Sequence, residues 1–456
     1  MVAARVFAAS IARYTELGGQ RRMRVLQVTH NFLPYSIGGI ETHVYGLSQQ
    51  LSQSCAVRVF FRAPLSRGSG LTERTEYNGL HCVAFEKSYH AKDATRQVEA
   101  AFSTLLDDFQ PDVVHFHHLR RLSPKLPGIA SASGAAVVFT LHDLWLICPR
   151  FFMVTDAWEP CDGPGELKCR LCLSRIPKFY ETGSLTLSQP RTWTSILTKA
   201  TRLSPRLVVN SLRMPSLAQR LSQTREDLSA VDLFTTAARH LIEWHVNVLG
   251  IREARFVQSD YGIDHSNLED MQHSSGGRIR FGFVGSIDYH KGVHVLLEAF
   301  ETIRDADLLL FGNVRDCFAP YLARHGQSNV RLMGAPPYER KREMFEPIDV
   351  LVLPSVCREG ASLVTREAFI AGIPVIGSNV GGIAELVQHG KNGLLFRPGD
   401  VNDLRAQLRT IIEHPELVDT LRRGISRLKS CKEDAADILA LYQGLLRERR
   451  GTPLSA

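Results

Sequence analysis

The chain has 456 residues, too many for one ordinary hydrophobic core, so two domains are expected. With 44% apolar and 22% charged residues and no apolar run long enough to span a bilayer, it reads as a globular, cytoplasmic protein; nine cysteines over this length make no disulfide scaffold and fit a reducing compartment. The formal net charge of +7 is uneven: residues 1–262 hold 30 Lys and Arg against 22 Asp and Glu, whereas residues 263–456 hold 24 against 25, so the first half suits an anionic partner or a membrane surface, with a chance surplus of solvated charge as the plain alternative.

Residues 1–22 carry arginines and few acids, with a short, interrupted apolar stretch. They read as a weakly ordered extension without catalytic importance; a targeting piece, an amphipathic membrane-touching helix or a true start at Met23 are the other readings. Strands are then predicted at 24–30, 56–61, 81–85, 112–118, 136–142 and 206–210 in the first half. In the second half they are predicted at 279–285, 306–312, 330–334, 349–354 and 374–378. These runs are continuously apolar, as in parallel sheets covered on both faces. Between them lie helical patterns such as "KGVHVLLEAFETI", with Val293, Leu296, Leu297, Phe300 and Ile303 on one stripe. Strand and helix alternating twice over predict two doubly wound α/β domains, 23–262 and 263–430, divided near the polar stretch 260–278. A last helix, within 431–456, is expected to cross back to the first domain. An insert at about 145–190 has no clear sheet period and interrupts the first domain.

Chemistry is expected where strands end. "DVLVLP" is followed by "REGASLVTREA", which places Glu359 in a loop and Glu367 inside the next helix, with Ser362 as a plausible N-cap. Free amides at Ser362, Leu363 and Val364 can hold a phosphate, and a carboxylate suits the two donors of a vicinal diol. That combination describes a nucleotide sugar, with Glu367 on the ribose and Glu359 on the sugar hydroxyls; two solvated surface glutamates are the bland alternative. "GFVGSIDYHKG" brings Lys291 to a helix start, where it can neutralise a diphosphate leaving group. "YSIGGIETHV" follows the first strand, and Gly38-Gly39 allow the backbone to approach a ligand closely, although the full dinucleotide fingerprint is lacking. "TLHDLW" puts His142 at the end of another strand.

These motifs resemble the family-four glycosyltransferases, retaining enzymes of the GT-B fold, over about residues 23–445. The resemblance is most specific in "PSVCREGASLVTREAFIAGIPVIGSNVGGIAELVQHGKNGLLF", where two glutamates are separated by seven residues. It implies that Glu367 binds ribose, Glu359 contacts the donor sugar and Lys291 binds the diphosphate. It places Gly38-Gly39 beside the donor phosphates and His142 near the reacting centre. Ser286 stands where many members carry an arginine, which puts more of the diphosphate on Lys291 and the amides of 362–364. The resemblance implies front-face transfer with retained configuration. A double displacement would need a carboxylate nucleophile close to a second acid, and Glu359 is the one candidate.

Cys148, Cys161, Cys169 and Cys172 cluster in the insert, the last two as "CRLC". Four thiolates with one close pair fit a structural zinc site better than a redox pair, which should open a helix after a strand; unliganded thiols are the alternative. No cofactor is expected for catalysis, and no acid pair marks a donor-site metal. The expected partners are a nucleoside-diphosphate sugar and a saccharide or lipid-linked acceptor, not nucleic acid. The stretch 190–206, with Trp193 among arginines and lysines, is a candidate membrane contact. The expected activity is hexosyl transfer in surface polysaccharide or glycolipid synthesis. A nucleotide-sugar epimerase on the same fold and a non-catalytic scaffold using the Cys-rich insert are the competing readings.

Overall fold

The structure is a computed structural model that describes residues 22–63, 72–86, 94–174, 216–269, 271, 277–337, 340–449 and 451. Nearly all of the N-terminal extension, the strand expected at 206–210 and the basic stretch 190–206 lie outside the described residues.

The first sheet contains β1 (Arg24–Thr29), β2 (Ala56–Arg62), β3 (Thr72–Tyr77), β4 (Leu80–Phe85), β5 (Val113–Phe116), β6 (Ala136–Thr140), β7 (Leu233–Thr236) and β8 (Phe256–Gln258). Their order is β3-β4-β2-β1-β5-β6-β7-β8. All neighbours run parallel except β3 and β4, which pair antiparallel at the edge. The second sheet contains β9 (Arg280–Val284), β10 (Asp307–Phe311), β11 (Val330–Gly334), β12 (Val350–Leu353), β13 (Val375–Ser378) and β14 (Gly393–Phe396). Its order is β11-β10-β9-β12-β13-β14, parallel throughout. Helices cover both faces, so inner strands such as β5, β6, β12 and β13 are buried at every position. Two Rossmann-like lobes facing a central cleft make the GT-B arrangement.

In each sheet the strand order reverses beside the first strand of the lobe, at β1/β5 and at β9/β12. The crevice beyond the carboxyl ends of strands at such a reversal is where open α/β sheets hold ligands. The Gly38-Gly39 loop follows β1, Lys291 follows β9 and Glu359 follows β12.

The chain passes between the lobes twice, and the two passages run side by side. Ile263 N–H donates to Lys429 O (3.0 Å), and Cys431 N–H donates to Ile263 O (3.1 Å). A Cβ on Gly262 would lie 2.3 Å from Ser430 O, so only glycine permits this approach. The last helix, Cys431–Arg449, packs on helix Gly39–Leu51 of the first lobe. It contributes Ala435, Ile438 and Tyr442 to the core beneath β1, β5 and β6. Tyr442 is fully buried, with its hydroxyl 2.6 Å from His115 Nδ1. No helix among the described residues is long and apolar enough to cross a membrane.

Replacing Tyr442 with Ala removes a large buried ring and strands a histidine nitrogen. It is expected to destabilise the first lobe by about 3–5 kcal/mol, read as a lower urea midpoint by circular dichroism.

Candidate active site

The loop after β12 and the helix Leu363–Ile370 build the second lobe's side of the cleft. The loop is packed so closely that glycines carry it. A Cβ on Gly360 would sit 1.8 Å from His142 O, and one on Gly382 would sit 1.7 Å from Gly360 O. Gly360 therefore touches the first lobe directly beside His142.

Glu359, in this loop, accepts from Lys291 Nζ at 2.9 Å and from the Ser355 hydroxyl. Both side chains are partly shielded, Glu359 at 16% exposure and Lys291 at 28%. Burial pushes the Glu359 carboxyl up, but Lys291 and Ser355 outweigh it and hold the group below the ordinary glutamate range. Burial pushes Lys291 down, and Glu359, helped by Cys357 and Asp288, more than reverses that. Sequence reasoning gave these two residues separate ligands; the structure joins them in one ion pair. The short turn Tyr289–Lys291 presents the lysine, with Asp288 accepting from Tyr289 N–H (2.6 Å) at its start. Gly292 closes the turn at φ 70°, and a Cβ there would meet Pro354 O at 1.7 Å. The lysine turn and the glutamate loop are thus in backbone contact.

Ser362 holds the N-cap position, but its backbone is left-handed (φ 41°) and its side chain makes no capping bond. Its hydroxyl lies 2.7 Å from that of Thr365 instead, so the expected cap is corrected in its chemistry. The amides at the start of Leu363–Ile370, Leu363 and Val364 among them, precede the first intrahelical bond and are the donors a phosphate would use. One turn on, Glu367 Oε1 is 3.8 Å from Lys341 Nζ. Burial raises the Glu367 carboxyl above its ordinary range, and Lys341 offsets only part of this. Lys341, itself 2% exposed, also donates to Asp264 O (3.2 Å). It escaped sequence reasoning because "YERKREMF" looks like a solvated charge run. Glu367 and Leu363 line an open cavity of about 250 Å³, together with Thr42, His43 and Gly46 of helix Gly39–Leu51 and with 262–264.

On the first lobe, Gly38 caps helix Gly39–Leu51 in an extended conformation. A Cβ on Gly39 would lie 3.4 Å from Leu363 Cδ1, so the glycine pair faces the start of the second lobe's helix. Beside it sits Glu41, a buried acid that sequence reasoning passed over, its carboxyl raised by burial.

His142 is partly buried, and both its ring nitrogens are engaged. Nε2 lies 3.0 Å from His117 Nδ1, and Nδ1 lies 3.1 Å from the Tyr261 hydroxyl. With Gln27 Oε1 accepting from His117 Nε2 (2.8 Å), His117 Nδ1 accepts from His142 Nε2, and His142 Nδ1 and Leu141 O (3.1 Å) then share the single Tyr261 hydroxyl proton. A hydrogen bond from this imidazole to a sugar hydroxyl would have to displace one of these partners. Asp143 pairs with His118 Nε2 (3.3 Å), not with His142. Burial lowers the pKa values of His43, His117 and His142, which favours their neutral forms. Among the described residues, these three form the one group of donor atoms lying within 4.8 Å of one another, a spacing that could hold a metal ion.

The four insert cysteines are free thiols and neighbours, though not a group of that tightness. Burial, reinforced by Cys161 and Cys172, pushes Cys148 up to about 11 and raises Cys169. Arg150 Nη1 lies 3.4 Å from Cys172 Sγ.

Two family models match the chain: "Glycosyltransferase Family 4" over residues 37–265 and "Glycosyl transferases group 1" over residues 278–414. An uncharacterized glycosyltransferase of Methanocaldococcus jannaschii is 32% identical over 148 residues, which span 32% of this chain and 42% of the relative. The capsular polysaccharide biosynthesis glycosyltransferase CapM of Staphylococcus aureus is 25% identical over 226 residues, 45% of this chain and 57% of the relative. The chain thus spans about half the length of these curated relatives. Among solved structures, Anabaena HepE in complex with UDP-glucose superposes with a TM-score of 0.62 at 14% identity, covering 94% of this chain and 100% of that one.

The ion pair sets a pH window. Glu359, with its pKa depressed, contributes stability above the ordinary glutamate range that is lost as pH falls through its folded pKa. Lys291, with its pKa raised, contributes below the ordinary lysine range and loses it as pH rises through its folded pKa. Glu359→Gln is therefore expected to be less stable than the native protein at pH 7, with the gap in urea midpoint closing as pH falls below the ordinary glutamate range.

Proposed function

The chain belongs to the GT-B glycosyltransferases that the group 1 and family 4 models describe, and from that premise we propose that it is a retaining hexosyltransferase. Its donor is a nucleoside-diphosphate sugar, and its acceptor a saccharide or lipid-linked saccharide of a surface polysaccharide or glycolipid. The observation that carries this reading is the Lys291–Glu359 pair, set between the start of helix Leu363–Ile370 and the Gly39 and His142 loops.

The donor diphosphate binds at the amides of 362–364 and draws Lys291 toward itself, because it carries more negative charge than the single carboxylate it replaces. Glu359 is thereby released to accept from sugar hydroxyls. Glu367, already pushed toward protonation, regains favourable partners when the ribose diol donates to it. Negative charge on the departing diphosphate grows as the glycosidic bond breaks, and Lys291 with the helix start stabilises it there. Ser355, and the sugar hydroxyls that take the place of Lys291, keep the Glu359 carboxylate engaged as a hydrogen-bond acceptor, which favours front-face transfer over double displacement.

The acceptor enters from the first lobe, past Gly38-Gly39 and His142. The surplus of positive charge on residues 1–262 suits an anionic, membrane-borne acceptor and a peripheral place at a cytoplasmic membrane surface. HepE's complex with UDP-glucose and CapM's role in capsule synthesis support the donor and product classes. The four insert thiols are proposed to hold a structural zinc ion, supplying a closed tetrahedral set with no open position for substrate.

A panel of nucleotide sugars screened by thermal shift, followed by turnover with added acceptor, tests the reading. Stabilisation by no member of the panel overturns it, and conversion of the donor without acceptor points to an epimerase. Glu367→Ala is expected to weaken donor binding by about 1–3 kcal/mol in calorimetry. Lys291→Ala is expected to lower kcat more than it raises the donor KM. Elemental analysis is expected to find about one zinc per chain, and loss of it in Cys169→Ser.

A further inference from the structure

We propose that residues 150–161 form a strap that positions the Lys291–Glu359 pair from the opposite lobe. The segment begins and ends in the first lobe: Leu144, Ile147 and Met153 lie in its core, and Cys148 and Cys161 pack against it. Between these anchors the side chains alternate between lobes. Phe151 stacks near His118 and Trp145 of the first lobe, with ring centroids at 6.1 and 6.4 Å. Phe152 stacks on His290 of the second, 4.3 Å away at 16°. Met153 returns to the first core, whereas Val154 and Trp158 are buried in the second. Trp158 lies against Tyr289, at 5.7 Å and 20°.

The contacts fall beside the ion pair. His290 directly precedes Lys291, and Phe152 O accepts from the N–H of Arg358 (3.2 Å), which directly precedes Glu359. One residue of the strap thus holds the neighbours of both partners, one by its ring and one by its backbone. The tip is a closed hairpin: Val154 bridges Pro160, and Cys161 N–H donates to Met153 O (2.7 Å). Phe151, Met153 and Trp158 all have positive φ (70°, 49° and 65°), a conformation that disfavours residues with a Cβ. Three such residues within eight positions persist only because both lobes pack against them, and such conformations cluster where function needs a fixed geometry. Phe152 is a positioning residue; it needs no contact with substrate.

The catalytic part of this inference rests on the transferase reading, so its test has an arm that needs no turnover. Phe152→Leu keeps the bulk and loses the stack. Hydrogen exchange in the full-length protein should become at least tenfold faster at 289–292 and 356–360, with protection of β5 and β6 unchanged. In the transfer assay kcat should fall about tenfold with donor KM within twofold. His290→Ala, which also gives up the 3.2 Å pairing with buried Asp288, should lose at least as much. His290→Phe, which gives up that pairing but keeps the stack, should retain clearly more activity than His290→Ala. The Phe152→Leu/His290→Ala double variant should lose no more than His290→Ala alone. Unchanged exchange at both loops overturns the strap, whatever the activity. Multiplicative losses in the double variant overturn the positioning role. If Phe152→Leu fails to fold, His290→Ala and His290→Phe decide the question from the other side of the stack. A native protein with no transfer activity would sink the proposed function and leave the exchange arm to judge the strap.

Discussion

A partly buried ion pair between residues 68 positions apart, Lys291 and Glu359, is the constraint around which the cleft is built. Neither charge could stay there alone, since an uncompensated charge in a shielded place costs several kcal/mol. Each therefore depends on the other's loop being held in place. The glycines explain how that is done. Gly292 lies against Pro354 O, and Gly381 and Gly382 lie against the backbone of 359–360, so the two loops lock backbone to backbone. The pair is neutral as a unit, which lets the site persist without ligand and still offer a full positive charge to an anion that displaces the carboxylate.

The two glutamates of the "REGASLVTREA" segment have been driven in opposite directions. Glu359 has a lysine and a hydroxyl within hydrogen-bonding reach, and its carboxyl is depressed. Glu367 has Lys341 only at 3.8 Å, and burial prevails. A carboxylate short of donors is poorly satisfied until something brings them, and a diol brings two. The difference thus follows from distance and burial alone. It suits one acid to a switchable charge and the other to a hydroxyl-rich ligand.

Much of this was legible in the sequence, for a physical reason. Parallel strands covered on both faces must be continuously apolar, so β1, β2, β9, β10 and β12 stand out as runs. The elements that escaped lack that signature. β3, "TERTEY", is an exposed antiparallel edge, and β7 ("LFTT"), β8 ("FVQ") and β14 ("GLLF") carry only two or three apolar residues each. Glu359, Glu367 and Lys291 could be singled out because strand ends at a topological switch collect ligands. Their pairing could not, because it depends on how two loops fold against each other. The Ser362 cap failed as a reading because its left-handed backbone turns the hydroxyl toward Thr365. The histidine chain was invisible for a similar reason: its members come from β5, the β6 loop, the lobe junction and the last helix. Nothing local marks them as neighbours.

Among the described residues the lobes meet in several places, one where Glu385 accepts from the N–H groups of Arg239 and His240, and three others differ in chemistry. At the junction, 259–264 runs against 429–431 through backbone hydrogen bonds. The last helix carries second-lobe chain into the first core, where Tyr442 meets His115. At the cleft, Gly360 rests on His142 O, and the strap spans from one core to the other. The first two contacts use chain that must cross between lobes in any case. The third uses an insert, with left-handed residues and two aromatic stacks, to reach the loops of Lys291 and Glu359. A junction alone would leave those loops positioned by one lobe while His142 and the glycine pair are positioned by the other. Errors in lobe orientation would then appear in full between the ion pair and His142, and displacements near 1 Å within an active site are costly to rate. A contact from the first lobe onto the residues preceding Lys291 and Glu359 removes that error at the point where it matters, because the first lobe itself then fixes the pair.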